Sequence, residues 1–322
     1  MSEMKKNRKT NLHIQKRPSC VVLMSTFNGE KYIEQQLDSV LKQKDVDIRV
    51  LVRDDGSSDG TIAILEKYKK QYGNLTIIYG KNVGIHKSFS YLIQNCCQAD
   101  YVAFSDQDDF WESDKLFVAI KSLRDSGMFF YSSASKLADE NLNDLRKTTE
   151  NLNENNYYMF GNNKLLTPGV QGCTIVIDYN FFAKRCVINY PDNYGHDVWL
   201  AILAYYFKCA IYDPRPHMLY RQHNNSWTGN RNNVLKRFFK TMKYSIRGME
   251  RYSTISTDML SRFETDLEQE DVEVLRFFSN LCKYSMHEKR VFVKKHKIGK
   301  YRTFPNILFR WFVFFKNKKR SH

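Results

Sequence analysis

Two rhythms of apolar residues alternate from residue 20 onward. Short runs of strand length are each followed by a longer segment whose apolar positions recur at helical spacing: "CVVLMS" before residues 30–41, "DIRVLV" before 61–72, "LTIIY" before 87–95 and "YVAFS" before 114–123. Four βα units in succession predict an α/β domain built on a mostly parallel sheet with helices on both faces. Such sheets bind ligands beyond the carboxyl ends of their strands, and the polar motifs of this chain fall there.

After "GMFFYSSA" the pattern breaks. Residues 139–158 are polar and Asn-rich and predict a long exposed excursion, either a loop that closes over substrate or a tolerated insertion. A strand-like "GCTIVI" follows, then a helix from about residue 179, a second helix opening at His196, and the apolar runs "CAIY" and "HMLYR". Beyond "QHNNSWTGN" the chain becomes helical, basic and aromatic. The expected organisation is a tail at 1–17, an α/β domain at 18–229 and a basic helical extension at 230–322.

Composition changes this picture in three ways. At 322 residues and 42% apolar content the chain can bury a large core, so disorder is excluded for most of it. Seven scattered cysteines, odd in number and without CxxC spacing, argue against a disulfide framework or zinc site and point to a reducing compartment. The net charge of +15 lies at the ends: six Lys/Arg face one acid in 1–17, and 22 face nine in 230–322, which leaves the middle slightly acidic. Basic ends seek an anionic surface, and an acidic middle suggests chemistry that brings its own cation. No apolar stretch follows the basic N-terminus, so a secretory signal is not expected.

Two acidic motifs carry the candidate chemistry. In "VRDDGSSDGT", residues 52–61, Asp54 and Asp55 precede a capped turn; solvated carboxylates are the simplest reading, but Asp54 could also accept a hydrogen bond from a pyrimidine N3–H, with "MSTFNGE" walling the same crevice. In "SDQDDFW", residues 105–111, carboxylates at i and i+2 can converge on one hard cation, Mg²⁺ or Mn²⁺, whose shell substrate phosphates complete. A helix-start charge explains Asp114, and Asp109 in part, but Asp106 and Asp108 precede any helix.

"VVLMSTFNGEKYIEQQLDSVLKQ", "VRDDGSSDGT", "KNVGIHKSF", "SDQDDFW" and "GHDVW" stand in the order and spacing of the family 2 glycosyltransferases, which this chain resembles over roughly residues 18–228. "SDQDDFW" with "LYRQHNNS" is similar to the rhamnosyltransferases of bacterial cell-surface polysaccharide synthesis. The resemblance implies a GT-A (Rossmann-like) fold, a nucleotide-sugar donor, a divalent metal and inversion at the anomeric carbon. It implies that Asp54 contacts the base, that Thr26 and Asn28 line the nucleotide pocket, that Asp106 sits near ribose and metal, and that Asp108 ligates the metal. Asp109 and Trp111 would shape the sugar pocket, although Trp111 equally suits the core and Asp109 a helix start. The family's acidic "ED" pair is here His196-Asp197; Asp197 would be the base, or else a helix cap, and His196 would orient it or meet the acceptor. Arg221 would contact the diphosphate and His223 would be a third metal ligand. Gly172, in "TPGVQGCT", would allow close approach of sugar or acceptor. No nucleophilic role falls to Cys173, since inversion needs no covalent intermediate.

The expected reaction is transfer of L-rhamnose from dTDP-rhamnose, or of a hexose from a UDP-sugar, to a lipid-linked glycan on the cytoplasmic face of the membrane. The aromatic stretch 304–315, "FPNILFRWFVFF", is too short to span a bilayer, which takes about 20 apolar residues. It suits either an interfacial helix on anionic lipid or a helix packed on the domain. Nucleic-acid binding through the basic end is the competing class; it is not expected, because that end holds no recognisable binding motif.

Overall fold

The computed structural model describes residues 17–149, 170–187, 190–191, 194–222, 252–298 and 313. Its first half follows the alternation read from the sequence: β1 (Ser19–Thr26), α1 (Ile33–Leu41), β2 (Asp47–Asp54), α2 (Thr61–Gln71), β3 (Leu75–Tyr79), α3 (Ile85–Gln94) and β4 (Tyr101–Ser105). Strand β1 reads SCVVLMST with almost no polar interruption because both its faces are covered. Val21 and Leu23 enter one core, Cys20, Val22 and Met24 the other.

The chain continues through β5 (Phe110–Trp111), α4 (Lys115–Ser126), β6 (Phe130–Ser133), β7 (Lys136–Ala138), β8 (Asp144–Thr148), β9 (Val176–Asp178), α5 (His196–Tyr206), β10 (Ala210–Asp213) and β11 (Met218–Arg221). Seven strands make the main sheet in the order β10-β6-β9-β4-β1-β2-β3, all parallel except β9, which runs against both β4 and β6. That reversal matters for the site. Because Val176 pairs with Ala103, the residues entering β9 lie beyond the carboxyl end of β4. A second sheet, β5-β11-β7-β8, sits over the same end.

Two local expectations are corrected. "GCTIVI" is not one strand: the Thr174 hydroxyl donates to the Gln171 carbonyl at 2.8 Å and Ile175 N to Gly172 O at 3.0 Å, so Gly172–Thr174 coil into a 3₁₀ turn before β9 begins. The excursion expected at 139–158 is largely exposed over its described residues, 139–149, but it is not loop throughout: Asp139 accepts from Asn141 N and Asn143 N at 2.9 Å and turns the chain into β8, antiparallel to β7.

Helix α5 is apolar on all sides and buried accordingly. It shares one core with Phe89 of α3, Phe104 of β4 and, from the C-terminal region, Ile255, Met259, Leu275, Phe277, Phe278 and Val293. Tyr194 Oη donates to Asp258 at 2.9 Å, Lys208 pairs with Glu268 and Arg185 pairs with Asp266. The described part of the basic extension is therefore docked on the α/β core. The expected boundary near residue 229 lies outside the described residues, as does the aromatic stretch 304–315 except Val313, which is buried in the same core. Among the described residues no helix is long and apolar enough to cross a membrane.

Candidate active site

The parallel register of β1, β2 and β4 brings Thr26, Asp54 and the turn after Ser105 to one edge of the sheet. Thr26 donates through its hydroxyl to Gln107 Oε1 at 2.7 Å; Phe27 N donates to the same oxygen at 2.8 Å, and Gln107 Nε2 returns a bond to Phe27 O at 3.2 Å. Gln107 thereby ties the acidic turn to the end of β1. Asn28 takes a left-handed conformation, φ 47°, which asparagine tolerates better than most residues, and its side-chain oxygen accepts from Ser58 N at 2.9 Å. Asp54, expected at the nucleobase, is buried and holds its own turn: it accepts from Gly56 N at 3.1 Å, Ser57 N at 2.9 Å and Ser57 Oγ at 2.5 Å. Its neighbour Asp55 pairs with Arg53 and accepts from Val83 N and Gly84 N at 2.9 and 2.8 Å, which fixes the "KNVG" loop beside the crevice.

The acidic turn has two layers. Asp106 and Asp108 are partly exposed, whereas Asp109 is fully buried; its Oδ1 accepts from Arg221 N at 3.2 Å and its Oδ2 has no hydrogen-bond partner. Burial, with Asp106 and Asp108 close by, pushes the Asp109 carboxyl well above the usual range. Beneath it stand the Cys173 thiol, which burial pushes far up and so keeps protonated, and Lys115, which burial brings down to about 8. Lys115 Nζ lies 3.6 Å from the ring centre of Trp111. Trp111 is accordingly a core residue here, 1% exposed, and not a wall of an open pocket.

Arg221 also departs from its expected place. Expected at a diphosphate, it is 3% exposed, and its guanidinium donates to Asp108 O at 2.6 Å, Gln35 Oε1 at 2.9 Å and Glu140 O while lying over the Tyr32 ring. It braces the acidic turn from behind. His223, the expected third metal ligand, lies outside the described residues.

Opposite the turn is the start of α5. The His196 ring is buried between Phe89 and Phe104, at 3.9 and 4.9 Å between ring centres, and burial lowers its pKa to about 4, so the imidazole is neutral. Gly172 is required against it: a Cβ there would run into His196 Nε2 and come within 2.8 Å of Cε1. Asp197 is partly exposed in the first turn of α5, its Oδ1 accepting from Val198 N at 2.8 Å. Its charge reaches Asp106, which burial and then the Asp108 and Asp197 carboxylates push up to about 7. Residues far apart in the chain thus share one field.

A dication fits this site. Asp106, Asp109 and Cys173 offer ligand atoms within 4.8 Å of one another, with Asp108 beside them. The oxygens suit Mg²⁺ or Mn²⁺; the protonated thiol does not, and bears on the carboxylates as a weak hydrogen-bond donor. The raised carboxyls of Asp106 and Asp109 mark acids crowded together without a counterion. A carboxyl whose folded pKa exceeds its unfolded value stabilises the fold while protonated; that contribution is full below about pH 4 and is lost as pH rises through about 7. With divalent cations chelated away, the Tm of the wild type is expected to fall more steeply between about pH 4 and pH 7 than that of Asp106→Asn. Parallel Tm profiles by differential scanning fluorimetry would refute the assignment.

Four contributors escaped the sequence reading: Gln107, Cys173 as a hydrogen-bond donor, Lys115 and His86. The last lies close to Asp197, since a Cβ on Gly195 would sit 3.3 Å from His86 Nδ1 and also against Asp197 Oδ1. Lys115 had a signal, because a lysine at the start of a helix opposes the helix dipole and needs another reason to be there.

The α/β sheet that gathers carboxylates beyond the carboxyl ends of its strands, with Asp197 at the start of α5, has the GT-A fold. The family model described as "Glycosyl transferase family 2" matches residues 21–185. A dTDP-rhamnosyl transferase of Shigella flexneri, RfbG, is 34% identical over 219 residues, 64% of this chain and 73% of that one. The chain belongs to glycosyltransferase family 2 and is an enzyme, a glycosyltransferase homologous to a rhamnosyltransferase. Residues 1–349 of TarS from S. aureus, solved with UDP-GlcNAc, superpose with a TM-score of 0.56 at 19% identity, over 81% of this chain and 73% of that one. The mannosyltransferase PcManGT from Pyrobaculum calidifontis, solved with GDP-Man and Mn²⁺, gives 0.50 at 14% identity, over 88% and 85%. At these identities the structural likeness speaks for the fold.

Proposed function

We propose that this chain transfers L-rhamnose from dTDP-rhamnose, with inversion, to a hydroxyl of a lipid-linked glycan in the synthesis of a bacterial cell-surface polysaccharide. The observation that carries the reading is the placement of the Asp106–Asp108–Asp109 turn after β4 together with Asp197 in the first turn of α5, whose neighbour His196 stacks on Phe104 of β4 and lies against Gly172. Similarity to the Shigella dTDP-rhamnosyl transferase supports the choice of sugar.

In the proposed reaction Asp197 takes the proton of the acceptor hydroxyl as its oxygen forms the new bond to the anomeric carbon. The bond from that carbon to the donor diphosphate breaks on the opposite face. Neutral His196, held by its ring stack, does not compete for the proton and presents a fixed wall beside Asp197. Thr26, Asn28 and Asp54 shape the nucleotide crevice, with Gln107 holding it to the acidic turn. Mg²⁺ or Mn²⁺, held by Asp106 and Asp108 with His223 as a further ligand, would supply positive charge to the leaving diphosphate. Residues 18–229 form the catalytic unit, and the basic region 230–322 places it at the anionic inner face of the membrane, where the acceptor resides.

A thermal-shift screen tests the donor. With Mn²⁺ present, dTDP-rhamnose is expected to raise Tm more than UDP-glucose, UDP-galactose or UDP-GlcNAc at equal concentration, and chelation is expected to remove most of the shift. A larger response to a UDP-sugar would replace rhamnose by that hexose. An undiminished shift after chelation would overturn the metal requirement.

A further inference from the structure

Outside the acidic turn, a second set of ligand atoms converges where β5, the start of α4 and the start of β11 meet. Glu112, Asp114 and His217 offer one ligand atom each, all within 4.8 Å of one another. The backbone fixes their approach: Met218 pairs with Trp111 in antiparallel register, and Glu112 N donates to His217 O at 3.0 Å. Asp114 stands at the N-cap of α4 but makes no side-chain cap bond, so its carboxylate is not used by the helix.

His217 is the independent pointer to a ligand. It is 9% exposed, and both ring nitrogens face carboxylates, with no hydrogen-bond partner within 3.5 Å. Nδ1 lies 3.7 Å from Asp114 Oδ1, on the side of the Glu112–Asp114 pair, and Nε2 lies 3.6 Å from Asp213 Oδ2. Asp213 is itself held by Arg215, through Nε at 3.0 Å and Nη2 at 2.9 Å, and by Tyr131 Oη at 3.4 Å. This is the arrangement in which a metal-bound imidazole is oriented: one nitrogen toward the ion, the other toward an anchored carboxylate. Lys136 Nζ donates to Glu112 Oε1 at 2.8 Å.

We propose that Glu112, Asp114 and His217 form a second divalent-cation site, distinct from the acidic turn and suited to Zn²⁺. One imidazole with two carboxylates is a donor set that zinc accepts in tetrahedral geometry, with water completing the shell on the exposed side of Asp114 and Glu112. The ion would join the β5–β11 ribbon to the start of α4. It would thereby stiffen the scaffold that carries Asp109 and Arg221, bonded to each other across that ribbon.

The test uses the full chain, stripped with chelator, dialysed, titrated with ZnCl₂ and assayed for retained zinc and for Tm. Wild type is expected to hold a zinc equivalent that His217→Gln and Asp114→Asn both lose, with affinity falling at least about tenfold in each. Its Tm is expected to rise on zinc addition. Asp114 is exposed, so its variant keeps the test informative if His217→Gln folds poorly. Zinc retained equally by both variants would assign it to the acidic turn and overturn the site. So would the absence of any zinc-dependent shift, which would leave His217 as a bridge between Asp114 and Asp213.

Discussion

Asp197→Asn is expected to lower kcat by about three orders of magnitude while leaving the dissociation constant of the nucleotide-sugar donor within about twofold of wild type. A positioned general base contributes about 10²–10⁴ to a proton-transfer step, and the amide keeps the shape of the carboxylate without its basicity. The amide oxygen of the variant can still accept from Val198 N, the bond that Asp197 Oδ1 makes in the first turn of α5, so the helix start should survive the change. Removing the charge also relieves Asp106, one of whose repelling neighbours it is, and the variant should bind a dication no more weakly than wild type. Nucleotide release with a glycan acceptor measures kcat, and calorimetric titration of the donor measures binding. Turnover within tenfold of wild type would reduce Asp197 to a helix-start charge.

Arg221→Ala is expected to destabilise the protein by about 2–4 kcal/mol, since each buried acceptor left without its donor costs about 1–3 kcal/mol. The guanidinium serves three acceptors on three segments: Gln35 in α1, Asp108 O in the acidic turn and Glu140 O before β8. Truncation leaves buried acceptors without donors and frees the turn from β11 on the side-chain side, while Arg221 N still reaches Asp109. Arg221→Lys should recover little, because a single ammonium cannot reproduce a planar fork with donors in three directions. The discriminating readout is the urea midpoint beside the donor KM. A brace loses stability in both variants; a diphosphate contact would keep the midpoint and raise KM, and that outcome would return Arg221 to the role its motif implied.

The fold was legible because local and global signals agree. β1 to β4 are apolar runs bounded by turn residues, and the alternation with helices leaves few arrangements beyond a parallel sheet. β9 was legible as an element and misplaced in extent, since the hydroxyl of Thr174 and the two flanking residues curl the chain into a turn that no apolar count detects. β8 was hidden for the opposite reason: its residues are exposed and, apart from Leu145, polar, so pairing with β7 leaves no mark on the apolar pattern.

The acidic turn separates in the same way. Its composition already implied a cation, because three carboxylates in four residues repel in an empty site whatever the fold. Which carboxylate faces outward is a question of neighbours distant in the chain. Asp109 turns inward because Arg221 N, 112 residues later, meets its oxygen, and because Cys173 and Lys115 stand beneath it. The amino-acid sequence by itself determined the α/β class, the edge of the sheet where chemistry is placed and the residue types that perform it, since these follow from periodicity and from local charge. Only the tertiary structure decided that Arg221 and Trp111 are buried supports, that His196 is a neutral ring clamped against Gly172, and that Asp197 acts on Asp106. Burial and long-range electrostatic fields belong to the folded arrangement and are not properties of any stretch of chain.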